Sequence, residues 1–356
     1  MRPIGLKTGL GDWIRRAWGA CMLVLVSAST SFAAAVNSAP LSPTNIFAPD
    51  STPARSIFRI SAFVLEITGA IFVVVFSLLA YAVIKFRERK NDDGFEPAQV
   101  YGSNQMELAW TVLPVLIVVV LFLSTAQVIH RVQDAREPAD AVQVTAVGHQ
   151  FWWEYRYPQY DFSTANELHV PVSDSSRPTP TYLALLSADV DHSFWVPRLA
   201  GKTDLIPNHP NKTWIDPHQT GIFLGQCAQF CGTGHANMLL RVYVQSPGDF
   251  QRWVHEQEQP AANDPSVAVG RTLFVAKACF ACHTIRGTMA AGKVGPDLTH
   301  LMSRDTIAAG ILPNTPENLR KWIHDPAAMK EGTLMPKVDM TDEQLNQIAA
   351  YLETLK

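Results

Sequence analysis

The segment that decides the fold of this chain is GQCAQFCGTGHANM, residues 225–238. It brings Cys227, Cys231, His235 and Met238 within twelve residues of one another. Thiolate, imidazole and thioether form a soft ligand set that favours copper over magnesium or calcium. Two closely spaced thiolates bridge two metal ions or complete one tetrahedral zinc site, whereas a blue-copper site needs a single cysteine and two histidines. Copper is therefore the favoured metal, and one zinc ion or a plain disulfide is the alternative.

Such a copper site needs a second histidine from another part of the chain. The segment DVDHSFWVP, residues 189–197, supplies His192 at a loop position beside aromatic residues. A lone histidine in such surroundings is often only a hydrogen-bonded core residue. Its combination with the cysteine segment makes His192 the candidate ligand.

The segment CFACH, residues 279–283, has the Cys-x-x-Cys-His spacing of c-type haem attachment. The thiols of Cys279 and Cys282 would add to the haem vinyl groups. The adjacent His283 would take the proximal position on the iron. The spacing therefore predicts one covalently bound haem c.

The sixth iron ligand is predicted to be a methionine, because His/Met ligation holds the iron as an electron carrier with no open position. Met335, in the segment GTLMP at residues 332–336, is the predicted ligand. Met289 and Met340 are its competitors, and any one methionine has core packing as its alternative role.

The apolar residues, 47% of the chain overall, concentrate before residue 131. Residues 1–35 combine basic residues, a short apolar run and small residues, as an export signal does, and a retained transmembrane helix is the alternative. Two longer apolar segments within residues 50–131 reach the roughly 20 residues that cross a bilayer core, and predict a two-helix transmembrane hairpin. Basic residues between them place the loop in the cytoplasm by the positive-inside rule; they are Lys85, Arg87, Arg89 and Lys90. The C-terminal part therefore faces the periplasm or the cell exterior.

The exported part divides by its periodicity. Strand-like runs separated by proline and glycine, within residues 139–252, predict a β-sandwich or barrel. Helical periodicity returns in residues 266–356, and the polar, proline-containing stretch at residues 253–265 predicts a linker. A net charge of −3 with 17% charged residues gives no sign of a nucleic-acid binder.

With GHQFWWEY at residues 148–155 and QMELAWTVLP at residues 105–114, these segments resemble the family of cytochrome c oxidase subunit II over about residues 50–251. The resemblance implies a multi-domain membrane protein with a two-helix transmembrane hairpin and a cupredoxin-like β-barrel that holds a binuclear copper centre (CuA). The C-terminal part resembles the all-α class I cytochrome c domain that some of these subunits carry.

The resemblance also implies roles for individual residues. The copper ligands would be the bridging thiolates of Cys227 and Cys231, the imidazoles of His192 and His235, the thioether of Met238 and the backbone carbonyl of Gln229. Gln229 stands where the family often has a glutamate that serves a magnesium site, and Phe151 stands where many relatives have a tryptophan used by a mobile donor. Glu107 matches an acidic residue at the mouth of a proton pathway, with a helix-capping carboxylate as the alternative.

The implied function is that of a cytochrome-c oxidase subunit in the bacterial plasma membrane. The chain would take electrons from cytochrome c or another donor through haem c and pass them by CuA to catalytic subunit I, with subunit III as a further partner. Oxygen reduction to water and proton translocation would occur in that partner, since no open metal site is predicted in this chain. The alternatives are the CuA subunit of a nitric oxide reductase-type complex and a copper-free assembly module, although such modules lose the cysteines.

Overall fold

The structure of the protein is a computed structural model that describes residues 44–87, 99, 101–133, 137–174 and 178–356. The predicted export signal at residues 1–35 and the basic loop residues Arg89 and Lys90 lie outside the described residues.

Two long apolar helices open the described part. Helix α1 spans Thr52–Lys85 and helix α2 spans Asn104–Gln133, with mean hydropathies of 2.5 and 2.6 over their most apolar windows. Each is long enough to cross a bilayer core, and no residue of either most apolar window is buried within this chain. They form the predicted transmembrane hairpin.

Polar contacts tie the start of α1 and the end of α2 to the part that follows. Arg198 forms an ion pair with Asp50, just before α1, and the Thr52 hydroxyl donates to the carboxylate of Asp216. At the end of α2, the indole N–H of Trp214 donates to the carbonyl of Val132 at 2.7 Å. The hairpin is therefore fixed to this part at both helix ends.

Ten strands follow the hairpin and form two five-stranded sheets. The strands are β1 (Val142–His149), β2 (Trp152–Tyr157), β3 (Phe162–Ala165), β4 (Glu167–Pro171), β5 (Thr181–Ser187), β6 (His192–Trp195), β7 (Thr203–Leu205), β8 (Asn211–Ile215), β9 (Gly221–Cys227) and β10 (Leu239–Gln245). The strand orders are β3-β2-β1-β5-β8 and β4-β10-β9-β6-β7. The pairs β1–β5 and β4–β10 are parallel, and the other pairs within these sheets are antiparallel.

The inward faces of the two sheets share one apolar core. Trp153, Phe194 and Leu205 are fully buried in it, together with Cys227 and Met238. Alternating burial, as along β10, is the pattern of strands with one face inward. The ten strands form the cupredoxin-like β-barrel that was predicted.

Helix α3 spans Pro247–Glu258. It corrects the predicted linker at residues 253–265, because the first six residues of that predicted linker belong to the helix. Ser246 caps α3 by accepting a hydrogen bond from the backbone N–H of Asp249, and Pro247 occupies the first turn. Phe250, Trp253 and Val254 are buried against the barrel. The helix therefore packs on the barrel, and a shorter connection begins after Glu258.

The C-terminal part contains short helices around a second apolar core. Its elements are α4 (Ala268–Ala276), the short strands β11 (Thr306–Ile307) and β12 (Leu312–Pro313), α5 (Pro316–His324), α6 (Pro326–Met329) and α7 (Asp342–Glu353). Phe274, Leu319, Ile348 and Leu352 are among the buried residues of this core. The predicted helices are confirmed, and the β-structure described in this part consists of the two short strands and one isolated bridge between Thr284 and Ala291.

The helical part is docked on the barrel by hydrogen bonds. The buried carboxylate of Glu167 accepts from the backbone N–H groups of Thr306 and Asp305, at 2.8 and 3.1 Å. The Tyr243 hydroxyl donates to the Asp305 carboxylate at 2.6 Å. The backbone N–H of Leu239 donates to the carbonyl of Ala309 at 3.2 Å. The two parts therefore meet across a specific polar interface.

Candidate metal centre and haem pocket

Strand pairing brings His192 to the cysteine segment. His192 begins β6, which pairs with β9 so that Phe194 lies opposite Cys227. The backbone N–H of Ala228 donates to the carbonyl of Ser193 at 3.0 Å and holds the start of the cysteine loop on β6. A residue distant in sequence thus becomes a neighbour of the Cys227 thiol.

The loop between β9 and β10 carries the other candidate ligands. The backbone N–H of Cys227 donates to the carbonyl of Met238 at 3.0 Å and closes the loop at its base. A turn of 3₁₀ helix at His235–Asn237 presents His235. Cys227, Cys231 and Met238 are buried, and His235 is partly exposed.

Each thiol has its own histidine. Cys227 Sγ lies 3.9 Å from Nδ1 of His192, and Cys231 Sγ lies 3.6 Å from Nδ1 of His235. The carbonyl of Gln229 lies 3.2 Å from Cys227 Sγ, and Met238 Sδ lies 3.9 Å from Cys231 Sγ. The six candidate donors therefore divide into two sets of three, one around each thiol.

The two sulfur atoms are 3.9 Å apart, well beyond the roughly 2.05 Å of a disulfide bond. Ligand atoms of His192, Cys227 and Cys231 all lie within 4.8 Å of one another. A structural zinc site uses four donors, and six donors arranged around two thiols exceed that number. This donor set fits two soft metal ions that share the sulfur atoms.

Two residues outside the predicted ligand set, Asp189 and Gln150, orient the ligands. Asp189 accepts a hydrogen bond from Nε2 of His192 at 2.7 Å, so Nδ1 of the ring faces the thiol. Gln150 donates through its backbone N–H to Asp189 at 2.7 Å and through its side chain to the carbonyl of Cys231 at 2.6 Å. Asp189 lies three residues before the predicted ligand His192, and this spacing is the sequence feature that could have indicated its role in orienting the ring.

The electrostatics of the site favour a thiolate. Hydrogen bonds from the Cys231 thiol and from His192 lower the pKa of Cys227 despite its burial, so the pair releases a first proton readily. Burial by itself lowers the pKa of His192, but the hydrogen bonds with Asp189 and Cys227 outweigh burial and raise it to about 8. The raised pKa of His192 reflects attraction between the imidazole and nearby negative charge, whereas the lowered pKa of Cys227 depends first on the hydrogen bond from Cys231.

Gly148 on β1 makes room for the His192 ring. A Cβ at this position would lie 2.8 Å from Cδ2 of His192, closer than real side chains approach. Gly232, in the cysteine loop, has φ +126°, a conformation that L side chains rarely adopt. Both glycines are therefore required by the local geometry.

The helical part contains a cavity of about 570 Å³. Cys279, Cys282, His283 and Met335 all line it, together with apolar side chains such as Leu298. The volume is in the range of pockets that hold organic cofactors, about 300–1,000 Å³. Two thiols, an imidazole and a thioether on one apolar cavity fit a covalently attached haem.

The ring of His283 is held in place through a hydrogen bond at Nδ1. The carbonyl of Pro296 accepts a hydrogen bond from Nδ1 at 2.8 Å, which leaves Nε2 as the nitrogen available to a metal. Gly295 allows this approach, because a Cβ there would lie 2.6 Å from Cε1 of His283. Burial lowers the pKa of His283, so the ring is held in its neutral, ligating form.

The competing methionines lie elsewhere. Met289 is 67% exposed, and Met340 packs against the second apolar core. Of the three, Met335 alone lines the cavity that His283 lines. The geometry therefore favours Met335 as the partner of His283.

Part of the cavity wall comes from the barrel. Gln150, Phe151, Asn166 and Asp189 line the cavity beside the residues of the helical part. Asp189 thus contacts the His192 ring and also borders the haem pocket. The candidate metal centre and the candidate haem pocket are consequently neighbours.

Three family profiles match the chain. They describe the transmembrane domain of cytochrome c oxidase subunit II at residues 42–128, its periplasmic domain at residues 177–245, and cytochrome c at residues 267–356. The cytochrome c oxidase subunit 2 of Alkalihalophilus pseudofirmus is 32% identical over 317 residues, which cover 86% of this chain and 90% of that protein. The chain belongs to the cytochrome c oxidase subunit 2 family.

Another relative and a solved structure are similar to parts of the chain. The cytochrome c oxidase subunit 2 of Bacillus sp. PS3 is 33% identical, with 76% of this chain and 80% of that protein covered. Among solved structures, the periplasmic domain of subunit II of the Bradyrhizobium japonicum cytochrome oxidase is 31% identical, covers 34% of this chain and 96% of that domain, and has a TM-score of 0.32.

As a cytochrome c oxidase subunit 2 with a cytochrome c domain, the chain is a membrane protein and part of a multi-subunit haem–copper oxidase. The subunit II match implies copper and the cytochrome c match implies haem. Glu107 lies in the first turn of α2 and is exposed, a position that suits either of its predicted roles.

Proposed function

We propose that this chain is the electron-accepting subunit of the oxidase, with a binuclear CuA centre in its barrel and a covalent haem c in its C-terminal domain. The chain accepts electrons from cytochrome c or another donor in the helical domain and passes them through the barrel to catalytic subunit I. Oxygen is reduced to water there, coupled to proton translocation. The observation that carries the proposal is the division of six donors into two sets, one around each of two thiols 3.9 Å apart.

In this proposal Cys227 and Cys231 would supply the two thiolates that hold the copper ions. His192 and the carbonyl of Gln229 would be the donors beside Cys227. His235 and Met238 would be the donors beside Cys231. The centre, when bound, exchanges one electron that is shared between both metals. The barrel holds the donors in place: strand pairing fixes Cys227, and burial fixes Cys231 and Met238.

In the helical domain Cys279 and Cys282 would hold the haem covalently, and His283 and Met335 would ligate its iron. The hydrogen bond to the carbonyl of Pro296 keeps His283 oriented toward the pocket. Apolar residues around the pocket exclude water, which favours electron transfer over binding of a further ligand.

The proposed orientation places the barrel and helical domain on the periplasmic or outer face of the bacterial plasma membrane. Lys85 and Arg87 at the inner end of α1 support it through the positive-inside rule. Subunit I, and subunit III with it, would surround the hairpin. We further propose that Glu107 lies at the mouth of a proton pathway formed with subunit I.

The test is metal analysis and spectroscopy of the purified full-length chain. We expect two copper ions and one c-type haem iron per chain, a near-infrared copper band, and copper hyperfine structure from one electron shared by two nuclei. Cys231→Ser should abolish the shared-electron signal, whereas the control Gln226→Ser, at an exposed position beside Cys227, should leave all signals intact. One zinc ion per chain without copper would contradict the proposal.

A further inference from the structure

Lys330 follows helix α6 and is a buried cation at the boundary of the two domains. Only 3% of the residue is exposed. Its Nζ donates to the carbonyl of Phe151 in the barrel at 2.6 Å and to the carbonyl of Ala308 in the helical domain at 3.3 Å. One side chain thus joins three chain segments across the domain boundary.

A charge in this position is costly. Within the described residues, no carboxylate forms an ion pair with Lys330. Burial lowers the pKa of Lys330 to about 7, against a favourable effect of the nearby Cys231. An apolar side chain of similar length would fill the space without that cost. The value of the lysine therefore lies in its hydrogen bonds.

On the barrel side, these hydrogen bonds connect with the candidate copper ligands. Phe151 is bonded to Gln150, whose side chain donates to the carbonyl of Cys231 at 2.6 Å. The backbone N–H of Gln150 donates to Asp189 at 2.7 Å, and Asp189 in turn accepts from His192 at 2.7 Å. Covalent and hydrogen bonds therefore run without a gap from Lys330 to a residue of each donor set.

On the haem side, Lys330 lies in the loop that carries Met335. The backbone N–H of Thr333 donates to the carbonyl of Lys330 at 3.2 Å and folds the loop into a turn. Gly332 has φ +79°, and a Cβ there would overlap the hydroxyl of Thr233 in the cysteine loop. The Met335 loop is consequently seated directly on the loop that presents Cys231.

We propose that Lys330 is a positioning residue for electron transfer between the two domains, because it holds the Met335 loop on Phe151 and completes a bonded path to the copper ligands. The inference rests on the proposed function, in which Met335 and Cys231 are ligands. Electrons tunnel faster through bonds and hydrogen bonds than across gaps, so loss of this contact slows transfer without removing either cofactor.

The test uses the full-length chain with both cofactors bound and compares Lys330→Met with a control. Lys330→Met keeps the length of the side chain and removes its donors. The control, Tyr243→Phe, removes the hydrogen bond to Asp305 at the same domain interface, away from Met335. A photoreductant reduces the haem in a flash, and transfer is followed by haem and near-infrared copper absorption.

We expect Lys330→Met to slow transfer by about tenfold or more, as small misplacements of reacting groups do, with the static haem and copper spectra unchanged. Tyr243→Phe should leave the rate close to that of the natural chain. Equal rates in the two variants would overturn the inference. A natural chain without copper or c-type haem would instead contradict the proposed function.

A second measurement needs no variant. An amine-reactive acetylating reagent, read out by mass spectrometry on the folded full-length chain, should modify exposed Lys337 rapidly and Lys330 slowly. Equal modification of the two lysines would show that Lys330 is not held in the interface and would also overturn the inference. This result does not depend on whether Lys330→Met folds or binds its cofactors.

Discussion

The carboxylate of Asp189 accepts a hydrogen bond from His192 at 2.7 Å and turns the other nitrogen of the ring toward the Cys227 thiol. His192 is fully buried, and Asp189 borders the haem pocket. The contact fixes both the ring orientation and the nitrogen that is free to bind a metal.

Asp189→Asn is expected to weaken copper binding by about tenfold, the lower end of the effect of outer hydrogen-bond partners on metal affinity. The amide loses the negative charge and brings an N–H group toward the backbone N–H of Gln150. Competition with a copper chelator, followed by the near-infrared band, measures the change. Asp191→Asn, at an exposed position, is the control and should bind copper normally; equal loss in both variants would contradict the role given to Asp189.

Met335→Leu is expected to lower the haem reduction potential and to remove the red absorption band of methionine-ligated ferric haem, because the thioether ligand raises the potential. Redox titration and absorption spectroscopy measure both effects. Met340→Leu changes a methionine that packs against the second core and should leave the band and the potential intact. If the band is lost with Met340→Leu and kept with Met335→Leu, the assignment is wrong.

Gly295→Ala is expected to destabilise the helical domain by about 1–3 kcal/mol, the usual cost of inserting a methyl group into a packed site. The new Cβ would lie 2.6 Å from Cε1 of His283, whose ring is already held by the carbonyl of Pro296. Thermal unfolding followed by haem absorption measures the loss. Gly248→Ala, which meets no atom within 4 Å, is the control, and a similar loss there would argue against a specific clash.

The stability of the barrel is expected to fall as the pH is lowered from about 6.5 toward 4. Burial lowers the pKa of His169 to about 4, because the ring is stacked between Tyr243 and Trp253 at 4.7 and 4.1 Å. The unfolded chain binds a proton on this histidine near its ordinary value of 6.5, while the folded chain does not, so acid favours unfolding. The contribution of neutral His169 to the free energy of unfolding is fully present above pH 6.5 and amounts to at most about 3 kcal/mol.

His169→Phe preserves the stacking and removes the titration, so the pH dependence of denaturant unfolding should become flatter over this range. His209→Phe changes an exposed histidine and should leave the dependence as it is. An unchanged slope in His169→Phe would mean that other groups determine the acid sensitivity.

The local motifs were readable from the sequence because their geometry is set by spacing. Cys279, Cys282 and His283 lie on one turn, and Cys227 and Cys231 lie on one loop, so both sites could be predicted without a tertiary structure. The place of His192 beside Cys227 depends on the pairing of β6 with β9, so the sequence offered His192 as a candidate from its loop and the site's need for a second histidine, and could not show the contact. Lys330 depends on docking of two domains, for which no short-range pattern exists.

The predicted start of the linker was wrong for a different reason. The polar composition of residues 256–265 hid the end of a helix whose buried face is formed by Phe250, Trp253 and Val254. The serine–proline pair at Ser246 and Pro247 is a helix-start signal, and three apolar residues at helical spacing follow it. The polar stretch by itself therefore predicts a domain boundary that lies too early in the chain.

The shared wall of the haem pocket has a consequence for the biogenesis of the protein. Phe151 and Asp189 of the barrel border the pocket into which Cys279 and Cys282 face. While the helical domain is undocked this part of the wall is missing, so the pocket is more open to an enzyme that joins haem to these thiols. We therefore expect maturation to follow an order: haem is ligated while the helical domain is still undocked, and closure onto the barrel then seals it. A pulse-labelled chain denied haem should remain protease-sensitive at residues 259–264 for longer than one supplied with it.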